Sequence, residues 1–399
     1  MVIKVNQCVI LVGGKGSRLG DIVKNYPKPM LEINKKPFLM NLIEMVQRFG
    51  FEEILLLASH ANNVIIDYFR NFENEQCKIK IILEDDPLGT GGAIINAYEH
   101  LEDTFYCING DSIIEGNWLS LNPILKNKYK AVIALTEVKN SSRYGSIEID
   151  NETIVEFNEK NLTSNSNLIN AGIYLLKKEI FKNLKKDFIS LEKDIFPKLL
   201  KFGELAGKKI NGYFIDIGTP ESLKEAKNRV WGNNKKAIIF DRDGTLNIDN
   251  GYTYKVKDLL WINGAKDLIK HLNDLNYFVF VATNQAGIAK GKFRENDMHY
   301  FHNAMQKSLF KIGAHIDKFY YCPYHIDGVI EKYKLDSKDR KPNIGMLEKI
   351  ASDWGLSKEG MLFIGDRLSD IECAENFNIQ GFLYNANDNL YDFFTKEVL

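Results

Sequence analysis

Tyr213-Phe214-Ile215-Asp216-Ile217-Gly218-Thr219-Pro220 closes one alternating pattern, and Ala237-Ile238-Ile239-Phe240-Asp241-Arg242-Asp243-Gly244-Thr245 opens another. In both, a short apolar run of the kind that forms a buried strand ends directly on an aspartate. Between them lie a brief helical pattern and the polar segment Asn228 to Lys236, centred on Gly232-Asn233-Asn234-Lys235-Lys236. That segment reads as a short exposed connection, too short for a long flexible tether. The expectation is two units, residues 1–230 and 237–399, joined by a linker over 231–236.

A chain of 399 residues with 45% hydrophobic composition has enough apolar mass for two cores. Its 52 basic and 53 acidic residues nearly cancel, so nothing global points to nucleic acid or an acidic membrane surface. Small anions are the expected partners; oligomeric state is left open. Met1 to Gln7 has no basic stretch followed by a long apolar run, and no later run approaches the roughly 20 residues that span a bilayer, so a cytoplasmic location is expected. Cys8, Cys77, Cys107, Cys322 and Cys373 show no paired spacing and read as reduced, buried thiols.

Upstream of the seam, Cys8-Val9-Ile10-Leu11-Val12 is a strand-like run ended by Gly13-Gly14, followed by Lys15-Gly16-Ser17-Arg18-Leu19 and Lys28-Pro29-Met30. Such a glycine-rich loop lets backbone amides approach phosphates, with Arg18 and Lys28 at hand to neutralise charge. Taken alone, a tight turn explains the glycines equally well. Helical spacing over Phe38 to Phe49, a strand at Ile54 to Leu57, a helix over Val64 to Phe69 and a strand at Ile79 to Leu83 continue the alternation. An α/β, doubly wound fold follows, with ligands at the carboxyl ends of the strands. There stand Glu84-Asp85-Asp86, Pro87-Leu88-Gly89-Thr90-Gly91-Gly92-Ala93 and Asn109-Gly110-Asp111. The second glycine loop enters a helix whose amino end favours anions. Asp111 and Asp216, each after an apolar strand, suit a two-carboxylate magnesium site.

With Arg143-Tyr144-Gly145, Phe157-Asn158-Glu159-Lys160 and Asn170-Ala171-Gly172 following in order, residues from about Gln7 to Arg229 resemble the sugar-phosphate nucleotidyltransferases. The acidic run before Pro87 and the phrases Leu168 to Tyr174 and Ser190 to Asp194 are most similar to heptose 1-phosphate guanylyltransferases, with mannose 1-phosphate guanylyltransferases the nearby branch. The resemblance implies a Rossmann-like mixed sheet and in-line attack of a sugar phosphate on the α-phosphorus of GTP, catalysed by positioning and charge neutralisation. It implies that Gly13, Gly14, Gly16, Arg18 and Lys28 hold the triphosphate, Asp111 and Asp216 the magnesium, and Glu159 and Lys160 the sugar hydroxyls and phosphate. Gly89, Thr90, Gly91, Tyr144, Gly145 and Asn170 are the remaining binding candidates. Guanine needs an acceptor for its N1 and N2 hydrogens, which Glu84 or Asp85 can supply; a solvated acidic loop is the competing reading. No hexapeptide period follows Arg229.

Downstream, Asp241 and Asp243 follow the strand two apart, which in extended backbone puts both carboxylates on one side, where a cation relieves their repulsion. Thr283-Asn284-Gln285, Arg340-Lys341-Pro342 and Gly365-Asp366, with Asp370 a turn later, also end strands or begin helices. From Lys236 to about Tyr384 the chain resembles the haloacid dehalogenase superfamily. With no long insertion between the motifs, a capless Rossmannoid phosphatase is implied. By that resemblance Asp241 is the nucleophile that forms an aspartyl-phosphate and Asp243 the acid and base. Thr283 and Lys341 grip the phosphoryl group. Asp241, the Asp243 carbonyl and Asp366 hold magnesium. Asp370 is set on a helix face, beside the ligands.

Asp241 to Asn247, Thr283 to Ala289, Tyr321-Cys322-Pro323 and Arg340-Lys341-Pro342 are similar to the heptose 1,7-bisphosphate 7-phosphatases, with histidinol-phosphate phosphatases as close relatives. Asn284 and Arg340 are substrate-binding candidates, Arg340 for the second phosphate. Many relatives carry a structural zinc on four Cys and His positions that read here Cys322, Tyr324, Ser337 and Asp339. That set does not suit zinc, so no structural zinc is expected and the loop from Pro323 to Asp339 should be held by packing. The two resemblances imply a bifunctional enzyme. Other substrates for each half, or one half serving only as a sensor, are the competing readings.

Overall fold

The computed structural model describes residues 5–14, 19–20, 23, 26–59, 62–70, 72, 77–125, 128–138, 144–158, 166–229 and 235–398. The chain divides into two compact units, Met1–Val230 and Trp231–Leu399. Among the described residues no helix is long and apolar enough to cross a membrane.

Unit 1 begins with β1 (Gln7–Leu11), a short β2–β3 hairpin (Glu32–Ile33, Lys36–Pro37), α1 (Phe38–Arg48), β4 (Glu53–Ala58), α2 (Asn62–Phe69), β5 (Lys78–Leu83), α3 (Gly89–Asn96), β6 (Thr104–Asn109) and β7 (Ser112–Glu115). It continues through β8 (Ala131–Glu137), β9 (Ser146–Asp150), β10 (Thr153–Asn158), β11 (Leu168–Lys177), α4 (Phe196–Lys201), β12 (Leu205–Lys209), β13 (Tyr213–Asp216) and α5 (Pro220–Asn228). Nine strands form a mixed sheet in the order β5-β4-β1-β6-β11-β8-β12-β10-β9. The alternation legible in residues 7–109 builds its parallel part, β5 to β6. There Cys8, Val9 and Ile10 and the Ile54–Leu57 run are buried, as strands covered on both faces must be. β11 then enters antiparallel between β6 and β8. Below β11 lies a core that includes Tyr174, Phe105, Phe181 and Phe196.

The seam strand β13 leaves this sheet and pairs antiparallel with β7, placing Asp216 opposite Ser112. Ile217 N donates to Asp111 O, 2.8 Å away, so Asp111 and Asp216 emerge side by side. Thr219 then starts α5 with a capping box to Ser222, with proline in the first turn, a combination that stops the strand and fixes the exit of Asp216.

Unit 2 is a five-stranded parallel sheet, ordered β16-β15-β14-β17-β18, built from β14 (Ala237–Phe240), α6 (Ala265–Asp274), β15 (Phe278–Asn284), α7 (Ala286–Ala289), α8 (Glu295–Phe310), β16 (Lys318–Cys322), α9 (Gly345–Trp354), β17 (Met361–Gly365), α10 (Leu368–Phe377), β18 (Gln380–Leu383) and α11 (Leu390–Glu397). Alternation along β14 explains its layers. Ile238 and Phe240 share a core with α6, α8 and α11, while Ala237 and Ile239 share the opposite one with α9 and α10. The carboxyl ends of β14, β15 and β17 release Asp241, Asn284 and Asp366 at one edge.

Candidate active sites

In unit 2 the Lys341 ammonium is the centre of the polar edge. Its Nζ lies 2.7 Å from Asp241 Oδ1, 2.7 Å from Asp370 Oδ1 and 2.7 Å from Ala282 O. Asn284 holds the Lys341 backbone from both sides, its Nδ2 donating to Lys341 O and its Oδ1 accepting from Lys341 N, each at 3.0 Å. One oxygen from each of Asp241, Asp366 and Asp370 falls within 4.8 Å of the others. Burial pushes the Asp241 carboxyl up, and Asp370 and Asp243 add to the shift while Lys341 opposes it. Burial works against the Lys341 charge too, but Asp241 and Asp370 outweigh it and hold its value above normal. Burial and then Asp370 raise Asp366. The Lys341 ammonium bonds two of the three clustered carboxylates and the exposed Arg367 guanidinium stands 4.0 Å from the third, an acidic cluster that a hard divalent cation suits. The backbone is shaped to match: at Gly244, φ +86°, a Cβ would stand 2.3 Å from Asp366 Oδ2.

Asp370, set on a helix face by its spacing, does sit in the first turn of α10, where it accepts from Arg367 N at 3.0 Å. Yet its carboxylate turns inward and is 1% exposed. The Asp243 carboxylate lies outside the three-carboxylate cluster. Arg242, whose side chain is fully buried, donates to both its oxygens, and Asn247 and Gln285 add bonds of 3.0 and 2.9 Å. Gln285 Nε2 also donates to Thr283 Oγ1 at 2.9 Å. Arg242 and Gln285 were not singled out from sequence; the strand-end position of Gln285, next to Asn284, was the available signal.

The four positions of the zinc-type loop are otherwise engaged. Cys322 is buried and its thiol is raised by burial. Tyr324 packs against Tyr333, Ser337 Oγ accepts from Asp339 N, and Asp339 pairs with Lys349. Arg340 Nη1 reaches Tyr324 O at 3.5 Å. All five cysteines are buried, with no disulfide.

In unit 1 the buried Lys28 Nζ lies 2.6 Å from Asp111 Oδ2. Asp216 Oδ1 accepts from Gly218 N at 2.8 Å and its other oxygen from Tyr144 OH. A Cβ at Gly218 would come 2.5 Å from Asp216 Oδ1 and 3.3 Å from Lys28 Nζ, so Lys28, Asp111 and Asp216 form one group. Tyr144, with Gly145 beside it, is steadied edge-on by Phe214. Gly13 passes close to Ser59, whose Oγ donates to Gly13 O at 2.7 Å, while a Cβ at Gly14 would meet none of the described residues within 4 Å. Gly16, Arg18, Arg143, Glu159 and Lys160 lie outside the described residues.

The second glycine loop is used differently from its sequence reading. Gly91 N and Gly92 N donate to Ile189 O at 2.8 and 3.0 Å, so these amides clasp the 187–192 segment. Thr90 Oγ1 donates to Glu192 Oε2 at 3.0 Å and accepts from Leu191 N. Glu192 also accepts from Tyr174 OH, which accepts from Asn170 Nδ2 at 2.9 Å. Asn170 Oδ1 caps Gly172 N within the β11 irregularity. Glu84 is buried, accepts from Leu88 N at 2.9 Å, and is raised by that burial; Asp85 is exposed.

Residues 7–231 match the nucleotidyl transferase family, and residues 339–389 the HAD-hydrolase-like family. The D-glycero-alpha-D-manno-heptose 1-phosphate guanylyltransferase of Campylobacter jejuni is 38% identical over 219 residues, 54% of this chain and 96% of its own length. The D-glycero-beta-D-manno-heptose-1,7-bisphosphate 7-phosphatase of Rhodopseudomonas palustris is 36% identical over 165 residues, 41% of this chain and 91% of its own. The crystal structure of HddC from Yersinia pseudotuberculosis complexed with GMP-PN aligns with a TM-score of 0.50 at 36% identity, covering 55% of this chain and 97% of that one. The chain spans about half the length of the bifunctional GlmU proteins it also matches, 52% for that of Methanocaldococcus jannaschii.

Proposed function

Because the chain belongs to the nucleotidyl transferase family over residues 7–231 and to the HAD-like hydrolases in its second unit, we propose that it performs two neighbouring steps on one sugar. Unit 2 hydrolyses the 7-phosphate of heptose 1,7-bisphosphate. Unit 1 transfers GMP from GTP to the resulting heptose 1-phosphate and releases pyrophosphate. The observation that carries this reading is the pairing in one chain of a guanylyltransferase-like half with the Lys341-centred carboxylate site, each half matched to a heptose enzyme over nearly that enzyme's whole length.

In unit 2, Asp241 attacks the phosphorus to give an aspartyl-phosphate, with Lys341 and Thr283 on the phosphoryl oxygens and Asn284 holding Lys341 in register. Asp243 protonates the leaving sugar oxygen and later takes the proton of the attacking water. Asp370 keeps Lys341 charged and aimed. Asp241, the Asp243 carbonyl and Asp366 are the residues that would hold magnesium, which when bound offsets the charge of the phosphoryl group. Arg340 receives the second phosphate.

In unit 1, Arg18 and Lys28, with the loop of Gly13, Gly14 and Gly16, hold the triphosphate. Glu159 and Lys160 hold the sugar phosphate. Asp111 and Asp216 would hold the ion, with Tyr144 and Gly218 N fixing the Asp216 carboxylate. Gly89 to Gly91 and Asn170 shape the walls through the 187–192 segment and Glu192.

Asp241→Asn assayed separately with the bisphosphate and with heptose 1-phosphate plus GTP tests the two-site reading. Loss with the first and survival with the second is expected; equal loss of both would sink it.

A further inference from the structure

The resemblance of unit 2 carries with it a metal-stapled loop, and the four positions of that staple do not suit a metal here. A tyrosine, a serine and an aspartate already paired with Lys349 replace three of the sulfur and imidazole donors. The loop nevertheless has a hub. Glu295, the first residue of α8, accepts from Tyr321 OH at 2.7 Å through Oε1 and from Tyr333 OH at 2.6 Å through Oε2. The two phenols come from different places: Tyr321 from the end of β16, just before the loop, and Tyr333 from its middle. Burial opposes the Glu295 charge, but the two phenols outweigh it and hold the carboxyl below its ordinary range, as expected for a carboxylate accepting two bonds.

Both phenols lead to the phosphatase site. Cys322, next to Tyr321, offers its carbonyl to Gln285 N at 2.8 Å, and Gln285 Nε2 donates to Asp243 Oδ2 and Thr283 Oγ1. Tyr333 packs against Tyr324 and its carbonyl accepts from His325 N at 3.1 Å, while Tyr324 O accepts from Arg340. One carboxylate thus ties down the support of Asp243 and the support of Arg340 together.

We propose that Glu295 is a positioning residue: it takes the place of a metal in fixing the 323–339 loop, and through Tyr333 and Tyr324 sets Arg340 to receive the substrate's second phosphate. The role of Arg340 rests on the functional reading above; the tie itself does not.

Tyr333→Phe keeps the ring packing and deletes one bond, and Glu295→Gln keeps the shape and deletes the charge. In the full chain both are expected to raise KM for heptose 1,7-bisphosphate roughly fivefold to tenfold, the scale of one ordinary hydrogen bond, because the loss reaches the substrate only through Arg340. In Tyr333→Phe, which leaves the Tyr321 bond in place, kcat should change less than twofold, with p-nitrophenyl phosphate hydrolysis unchanged; Glu295→Gln also loosens the Tyr321 side that supports Asp243 and is expected to lower kcat as well. Limited proteolysis should cut within 323–339 faster in both variants, a readout that needs no substrate. Faster cleavage with an unchanged KM split would leave the tie standing and overturn the Arg340 link. Unaltered cleavage, or stoichiometric zinc in the purified protein whose chelation loosens the loop, would overturn the tie. Wild-type protein inert toward the bisphosphate yet cleaved as expected would count against the functional reading alone.

Discussion

Lys341 Nζ and Asp241 Oδ1 meet 2.7 Å apart, with the two side chains only 2% and 8% exposed. The same ammonium serves Asp370, so replacing it strands two buried carboxylates at once. Breaking a buried pair from one side costs about 3–5 kcal/mol, because the remaining charge loses its partner without regaining water. Lys341→Met is therefore expected to lower the unfolding free energy of unit 2 by that order, read as an earlier urea midpoint at unchanged slope, and to abolish phosphate release, with guanylyl transfer retained. A variant as stable as wild type would mean that the carboxylates are protonated or otherwise paired in the resting protein.

His302 predicts how stability responds to acid. Its Nε2 lies 3.1 Å from Arg242 Nη1, and its ring stacks on Phe319 at 4.3 Å. Burial, then Arg242 and His299, hold the imidazole well below its ordinary range, so it stays neutral in the fold. Below about pH 6.5 the unfolded chain takes a proton that the folded chain refuses, and stability falls with pH until the folded value is reached. The contribution is up to roughly 1.4 kcal/mol per pH unit in that window. His302→Gln removes the titration, so comparing urea midpoints at pH 7.5 and 5.5 should show a shallower acid loss than wild type. Parallel losses would assign the slope to other groups.

How much of this was legible before the fold is clearest at particular residues. Asp111, Asp216, Asp241 and Asp366 stood out because an apolar run ending on a carboxylate is a local pattern, and Lys28 and Lys341 because they precede a proline within known phrases. Asp370 and Glu192 were not legible as hubs. The partner of Asp370 is 29 positions back in the chain, and Glu192 meets Thr90 102 positions away. Periodicity reports which face a residue occupies and carries no information on what arrives opposite it. For the same reason Gly91 and Gly92 read as anion-facing amides, when the backbone of Ile189 takes them.

Two glycines of unit 1 differ in what surrounds them, and the difference makes their expected roles testable. Gly89 has φ +74°, and a Cβ there would stand 2.6 Å from Ile189 O. Gly89→Ala is expected to cost about 1–3 kcal/mol through backbone strain and to disable guanylyl transfer, with phosphatase activity intact. Among the described residues, a Cβ on Gly14 meets nothing within 4 Å. Gly14→Ala should leave the melting curve of unit 1 in place while weakening GTP binding, since no described residue would feel the methyl group and a phosphate held at the backbone would. Unchanged GTP affinity would remove Gly14 from the nucleotide site.

Glu84 and Asp85 are the two acceptors that the proposed reading offers to a guanine base. Glu84 is 6% exposed as a residue, and its carboxylate accepts from Leu88 N at 2.9 Å, closing the turn that leads into Gly89. Removing it leaves the half-buried Leu88 amide without this partner, a cost of about 1 kcal/mol that falls on the loop whichever nucleotide is present. Glu84→Ala is therefore expected to lower kcat/KM for GTP and for ATP in the same proportion. Asp85 is exposed and free to meet the guanine N1 and N2 hydrogens as an acceptor. Asp85→Ala should lower kcat/KM for GTP by about tenfold or more and leave ATP unchanged, since a site built to bond a polar edge rejects ligands chiefly through that bond. The two variants, each assayed with both nucleotides, decide the question. A change in preference in Glu84→Ala and none in Asp85→Ala would reverse the assignment, and a change in neither would place guanine recognition outside the acidic run.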